Sequence, residues 1–233
     1  MTAAVTGVAV TGVTALLNAG VDTVADRAGA VPFSWTTKII EDPCGGASRE
    51  FVLPRLPPRP DGSANGVAAS VVENAPDGLH TELVITFQGN SGTAVVLEAL
   101  HVEMVKRAKP EGVAVERKGD CGGGMTPRSF AVDLDRPRPR VSPVPGESLG
   151  SPIPAVDFPF RISDSDPEVF RLTSRTAACD CRWRLVVDWA SGGKRGRSVI
   201  DAEGEPFRTV GTDALPYYSN DRLRTPHAWS RRR

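Results

Sequence analysis

Cysteine is the residue type in this sequence with the clearest capacity for chemistry, and it occurs at Cys44, Cys121, Cys179 and Cys181. Four cysteines can form two disulfides, remain as buried free thiols, or hold a structural zinc ion as thiolates. A bond within a Cys-x-Cys triplet is strained, so we expect Cys179 and Cys181 each to pair with one of Cys44 and Cys121. Zinc sites usually carry Cys-x-x-Cys pairs, which this sequence lacks. All three states of the cysteines stay open at this stage.

Carboxylates provide one further candidate metal site. Asp164, Asp166 and Glu168 alternate along the chain, and oxygen-rich spacing of this kind is compatible with calcium. The other positions of a calcium-binding loop are absent, however, and aspartate is also a common turn residue. We keep these three residues as calcium candidates and predict no bound cofactor.

Catalytic residues cannot be assigned from local motifs. The sequence has three histidines, none with metal-ligand spacing, and it lacks the nucleophile-elbow, phosphate-loop and dinucleotide-binding motifs. We therefore predict no catalytic residue. An enzyme whose site is assembled from residues distant in sequence remains an alternative, because such a site leaves no local motif.

Basic side chains cluster in one stretch of the chain. They are Arg182, Arg184, Lys194, Arg195 and Arg197. Such a cluster can bind an acidic partner or a polyanion, but it is also typical of a solvated sheet edge, where charge prevents strand-to-strand aggregation, and we favour the second interpretation. The whole chain is neutral, with 28 basic and 28 acidic residues, so we expect no nucleic-acid partner.

Alternating side chains predict the elements that position these residues. Apolar residues make up 40% of the chain, which is enough for a core. Residues 81–87 and 181–189 alternate apolar and polar side chains with the period of a half-buried strand, and Trp183 and Trp189 fall on the apolar side. Several short strands separated by glycine- and proline-rich turns favour an all-β fold. We predict an antiparallel β-sandwich, for which an immunoglobulin-like arrangement is an analogy.

Connections between the strands are predicted from turn residues and proline. A turn at 88–92 joins strand 81–87 to the run 94–106, and we expect these two strands to form a hairpin with Val96, Leu100, Val102 and Met104 on one face. The segment 136–160 contains seven prolines, which exclude a central strand or a helix. We interpret it as a long extended connection that crosses over the sandwich or joins two lobes.

Three regions follow along the chain. Residues 1–30 begin with 21 uncharged residues, which predict a short helix. This helix either docks on the domain or anchors it in a membrane. A signal peptide fits less well, because no basic residue precedes Arg27. Residues 31–215 are predicted to form the sandwich. Residues 216–233 are predicted to be a basic, disordered tail.

Our leading functional hypothesis is a non-catalytic β-sandwich that serves as a binding or structural module, either free or tethered to a membrane. Its expected partner is a protein or the membrane. The sequence does not identify a small-molecule ligand. The alternatives are the enzyme with a dispersed site and a cytosolic zinc-containing or polyanion-binding module. Disulfides require an oxidising compartment, so the disulfide hypothesis predicts a membrane-associated, extracytoplasmic domain and the free-thiol hypothesis a cytoplasmic one.

Overall fold

The structure is a computed structural model that describes residues 31–39, 48–57, 80–118, 128–148, 151–219 and 229–232. Within these ranges the chain forms sixteen β-strands. They are β1 (Phe33–Ile39), β2 (Ser48–Leu53), β3 (His80–Gly89), β4 (Val95–Ala108), β5 (Val113–Lys118), β6 (Arg128–Asp133), β7 (Val141–Pro143), β8 (Gly146–Ser148), β9 (Ser151–Ile153), β10 (Phe160–Ile162), β11 (Glu168–Arg175), β12 (Asp180–Ser191), β13 (Lys194–Ile200), β14 (Phe207–Val210), β15 (Tyr217–Ser219) and β16 (Ser230–Arg231).

Two five-stranded sheets pack face to face and confirm the predicted β-sandwich. The first sheet has the order β1-β3-β11-β6-β7, and the second has the order β10-β4-β12-β13 with β14 also paired to β12. Within these two sheets, all neighbouring strands are antiparallel except β11 and β6, which run parallel. The predicted N-terminal helix lies outside the described residues.

The core lies between the two sheets, and its members follow the predicted alternation. On β3 the buried side chains are Leu83, Ile85 and Phe87, as expected from the sequence. On β12 the inward side chains are Cys181, Trp183, Leu185, Val187 and Trp189. Aromatic rings link the sheets, since Phe33 of β1 packs edge-on against Trp189 at 6.1 Å between ring centroids.

The predicted hairpin of 81–87 and 94–106 is wrong. β3 belongs to the first sheet and β4 to the second, so the turn between them carries the chain across the sandwich. The predicted inward position of Val96 on β4 is also wrong. Asp188 of β12 pairs with Ala99 and the next residue, Trp189, pairs with Leu97, so the register of β4 shifts by one residue between these pairs. This β-bulge places Val95 and Leu97 inward before the shift, and Leu100 inward after it.

The proline-rich segment 136–160 connects the sheets at one side of the sandwich. Arg140 pairs with His101 of the second sheet through an isolated bridge, and the next residues form β7 at the edge of the first sheet. The chain then returns to the second sheet in β10, the neighbour of β4. Its short strands lie at sheet edges or in the separate β8-β9 pair, where proline is tolerated.

A third sheet of order β16-β15-β5-β2 includes part of the predicted tail. β15 and β16 both fall within 216–233, and Trp229 donates a hydrogen bond from Nε1 to the Pro57 carbonyl at 2.9 Å. Tyr217 packs in a small cluster with Val52 and Val210. The described parts of 216–233, which are residues 216–219 and 229–232, therefore contribute two strands to the third sheet.

Within the described part of the chain, no helix has the length and hydropathy needed to cross a lipid bilayer. The predicted anchor in 1–30 lies outside the described residues.

Candidate functional site: the outer face of the second sheet

Ionisable side chains gather on the outer face of the second sheet, which is the surface opposite the core. The alternation of β12 decides which residues reach it, since the residues that alternate with the inward side chains, such as Arg184 and Asp188, point outward. The bulge in β4 adds Glu98 and Ala99 to the same face, opposite Asp188. Residues distant in sequence therefore meet in cross-strand rows on this face.

Asp188 is the centre of the face. One of its oxygens lies 2.8 Å from Nε2 of His101, and the other accepts a hydrogen bond from Nε of Arg197 at 2.7 Å. Burial raises the pKa of the Asp188 carboxyl, but the hydrogen bonds and charges of His101 and Arg197 together outweigh burial and hold the pKa below its usual range. Asp188 is therefore ionised and holds two cation-capable side chains in place.

Three further ion pairs continue this arrangement. Arg195 lies 3.3 Å from Glu98, and Arg184 lies 3.4 Å from Asp201. Glu98, Asp188, Arg195, Gly196 and Arg197 line a shallow, open depression of about 310 Å³.

Arg208 forms the last of these pairs. Its Nε and Nη2 donate to the two oxygens of Asp180 at 2.8 and 2.7 Å. The hydrogen bond to Asp180 raises the pKa of Arg208; burial acts against it, and the charge of Asp180 adds to the rise. This fork-to-fork geometry is the strongest form of arginine–carboxylate contact.

The structure separates the five predicted basic residues into two groups. Arg184, Arg195 and Arg197 are paired with carboxylates on the same face. Arg182 and Lys194 form no ion pair with a described residue. The sequence pattern identified the cations but not the acids that neutralise them, because those acids are Glu98 of β4, Asp188 near the end of β12, and Asp201 after β13.

Cys179 immediately precedes β12 and Cys181 is the second residue of that strand, and their sulfur atoms are in direct contact as a disulfide pair. This pairing differs from the predicted bonds to Cys44 and Cys121, which lie outside the described residues. The two Cα atoms are 5.3 Å apart, a separation at which a disulfide can form. Both side chains are buried, so the contact lies inside the fold.

The loop before Cys179 is held by Asp135, which is not among the predicted site residues. Asp135 accepts hydrogen bonds from the Thr176 hydroxyl at 2.6 Å and the Ala177 backbone N–H at 2.8 Å. Burial raises the pKa of Asp135, but these hydrogen bonds and the charge of Arg107 outweigh it and lower the pKa. The Thr176 hydroxyl oxygen lies 3.2 Å from the Cys179 sulfur. Asp135 thus fixes the turn that presents the cysteine pair.

The calcium candidates Asp164, Asp166 and Glu168 lie in and after the turn between β10 and β11. Glu168 lies 3.6 Å from the guanidinium of Arg128. The Asp164 backbone N–H donates to the Ser91 carbonyl, and the Asp166 carbonyl accepts from the Ser163 N–H, so both backbones hold the turn. In the described residues, no three histidine, cysteine or carboxylate side chains gather where a metal ion could be held. The structure does not bring these three carboxylates together as a calcium site.

A hydroxyl network inside the sandwich was also missed by the sequence analysis. The Thr209 hydroxyl lies 2.7 Å from that of Thr81 and 3.0 Å from that of Ser174, and it accepts the indole N–H of Trp183 at 3.1 Å. These residues come from both sheets, and all four are buried. Their positions in the alternation were visible in the sequence, but their partners were not.

Comparison of the chain with protein-family models, curated proteins and solved structures finds no match. The assignment of a function therefore depends on the chemistry of the outer face and of the core.

Proposed function

We propose that this chain is a non-catalytic β-sandwich module that binds a partner through the outer face of the second sheet. The observation that carries the proposal is the arrangement of charges around Asp188, where His101, Arg197, Arg195 and Glu98 form an ordered surface of alternating sign. Ordered charges of both signs favour a protein partner with a complementary surface, because like-charge contacts reject other partners.

The interior supports a structural role for the rest of the molecule. Buried polar side chains in the described ranges are all serines or threonines: Thr81, Ser174, Thr176, Ser198, Thr209, Thr212 and Ser219. The N–H groups of the two buried tryptophans are also satisfied, since Trp183 donates to Thr209 and Trp189 donates to Ser198, each at 3.1 Å. Satisfied polar groups inside a packed aromatic core stabilise the scaffold and leave recognition to its surface.

His101 and Asp188 resemble half of an acid–base site, but their surroundings favour recognition. The Asp188 carboxylate is shared between His101 and Arg197, and the His101 side chain is about half exposed. No hydroxyl or thiol of the described residues hydrogen-bonds to the imidazole. We therefore assign His101 to the ordered charge surface.

We further propose that the module is extracytoplasmic and tethered to a membrane by its uncharged N-terminal residues 1–21. The sulfur contact of Cys179 with Cys181 supports an oxidising compartment, because disulfides persist there and are reduced in the cytosol. The length of the uncharged stretch supports the tether.

Charge reversal at the centre of the face tests the binding proposal. The tagged full-length chain is cross-linked in cells of its source organism, and the cross-linked proteins are compared for wild type, Asp188→Lys and Asp166→Lys. Asp166 is an exposed aspartate outside the second sheet, so its variant changes the net charge equally. We expect wild type and Asp166→Lys to cross-link to the same partner protein, and we expect Asp188→Lys not to cross-link to it. Circular dichroism should show that all three chains fold. Identical cross-linking by all three chains would refute the proposal.

A further inference from the structure

One row of the second sheet contains three basic side chains on three adjacent strands. Arg182 of β12 is directly opposite Lys106 of β4 on one side and Arg208 of β14 on the other. Directly opposed residues of an antiparallel pair share a face, and their Cβ atoms lie about 4.5–5.5 Å apart. The inward positions of Trp183 and Phe207 place Arg182 and Arg208 on the outer face. We call these three residues the basic row.

The basic row carries more positive charge than its neighbours neutralise. Asp180 is bound by Arg208 through both carboxylate oxygens. Lys106 and Arg182 form no ion pair with any described residue. With one acid against three bases, the row has a formal charge of +2, that is +3 from its cations and −1 from Asp180.

The surrounding cations are engaged in other contacts. In the next row, Glu103 lies opposite Arg184, and Arg184 is held by Asp201 and by the Gly204 carbonyl at 3.2 Å. The depression around Asp188 lies beyond that row and its arginines are paired. Lys106 and Arg182 are therefore adjacent cations on this face, neither of them in an ion pair with a described residue.

From this juxtaposition we propose that the basic row binds an oxyanion, a phosphate or sulfate group carried by the partner. Like charges directly opposite each other destabilise a sheet, so an anion above Arg182 relieves an unfavourable contact as well as forming new hydrogen bonds. The guanidinium of Arg182 presents a planar fork that matches an oxyanion, and the ammonium of Lys106 adds a point charge.

The β4 backbone supports this assignment. The register of β4 against β12 shifts between Arg182 and Trp183, where Val105 is the extra residue. Bulges re-aim side chains at functional positions. This bulge returns Lys106 to the outer face beside Arg182, and without it Lys106 would point inward.

The inference rests on the proposed binding function and names the chemistry of the partner. It is tested on the full-length chain by ¹H–¹⁵N NMR titration with sodium phosphate and, separately, sodium sulfate, with sodium chloride holding the ionic strength constant. We compare wild type with Arg182→Gln, Lys106→Gln and Lys194→Gln. Lys194 is an exposed cation of the same sheet without an ion pair to a described residue, so its variant removes the same charge outside the row.

Saturable shifts are expected at the Arg182 and Arg208 side-chain N–H groups and at Lys106 in wild type and Lys194→Gln. Arg182→Gln should weaken binding about tenfold or more, because it removes hydrogen bonds to a charged group. Binding of phosphate alone or of sulfate alone identifies the source of the oxyanion, and both outcomes support the row. Shifts that stay linear with both anions, or an equal loss in Lys194→Gln, would overturn it.

The two proposals fail separately. Saturable anion binding combined with a partner that still cross-links to Asp188→Lys supports the basic row and refutes the proposed contact surface around Asp188. Loss of cross-linking in Asp188→Lys without saturable anion binding refutes the basic row alone.

Discussion

At the scale of single residues, Thr209 shows how buried hydroxyls can be satisfied completely. Trp183 can only donate to Thr209, and the Thr81 hydroxyl lies 3.0 Å from the Arg208 carbonyl, which can only accept. If Thr81 donates to that carbonyl, and Ser174 donates to Thr209 at 3.0 Å rather than to the more distant Thr81 carbonyl at 3.3 Å, then Thr209 donates to Thr81 and accepts from Ser174 and Trp183. Each hydroxyl then uses its one proton, and the Thr209 oxygen has both lone pairs occupied.

Replacement of this hydroxyl is expected to be costly. Thr209→Val leaves the Trp183 N–H without its acceptor, while the Ser174 hydroxyl can still donate to the Thr81 carbonyl at 3.3 Å, so the free energy of unfolding should fall by about 1–3 kcal/mol. Thr173→Val makes the same chemical change at a partly exposed position of β11 in the first sheet and should change the free energy of unfolding by less than about 0.5 kcal/mol. Urea denaturation measures both, and equal stabilities would contradict the network.

Asp135 supplies a pH-dependent contribution at the same scale. Its pKa is lower in the folded chain than the unfolded value of about 3.9, so its stabilisation is complete above that value and is lost as the pH falls through the folded pKa. Asp135→Asn should destabilise the protein at pH 7, on the order of 1 kcal/mol, and the difference from wild type should shrink below about pH 4.

Chemical denaturation at a series of pH values measures this difference. Asp166→Asn alters an exposed aspartate and should follow wild type throughout. A constant difference between Asp135→Asn and wild type from pH 7 to pH 3 would show that the Asp135 charge contributes nothing.

At the scale of elements, the sequence predicted strands and their inward faces but not their partners. Alternation placed Trp183 and Trp189 on the inward face correctly, because the burial of one face of a strand imposes that alternation. It could not show that β3 and β4 separate into different sheets, since a turn reverses the chain in either case. Nor could it locate the two bulges of β4, which depend on the opposing strand β12.

One close approach between elements depends on the absence of a side chain. Gly196 of β13 lies opposite Trp189, and a Cβ atom there would enter the space of the Trp189 ring. We expect Gly196→Ala to lower the free energy of unfolding by about 1–3 kcal/mol, because the ring must shift within a packed core. Gly92→Ala is the control, because no atom lies within 4 Å of a Cβ added there. Thermal unfolding should show a lower midpoint for Gly196→Ala alone.

At the scale of the whole molecule, the candidate site joins distant parts of the chain. Its cations were visible as a cluster in sequence, but Glu98, His101 and Asp201 are added only by the pairing of β4, β12 and β13. No local pattern encodes that pairing. The same holds for the junction beside the cysteines, where Arg107 of the second sheet donates to the Leu134 and Arg136 carbonyls of the loop after β6.

The state of the cysteines connects this junction to the location of the molecule, and peptide mapping determines it. Trypsin cleaves after lysine and arginine, so it releases Cys179 and Cys181 together in peptide 176–182, with Cys44 in 39–49 and Cys121 in 119–128. The sulfur contact predicts that, without reduction, peptide 176–182 appears alone and lighter by the two hydrogens lost in a disulfide. Reduction should restore its full mass.

Each other outcome has a defined meaning. Peptide 176–182 linked to 39–49 or 119–128 would restore the pairing first expected from the sequence and contradict the contact between Cys179 and Cys181. Alkylation of both cysteines before reduction, in protein isolated from its own cells, would indicate a reducing compartment and remove the support for an extracytoplasmic module. The Cys179→Ser, Cys181→Ser double variant is the control, because its peptide has no sulfur to oxidise and its mass should be the same before and after reduction.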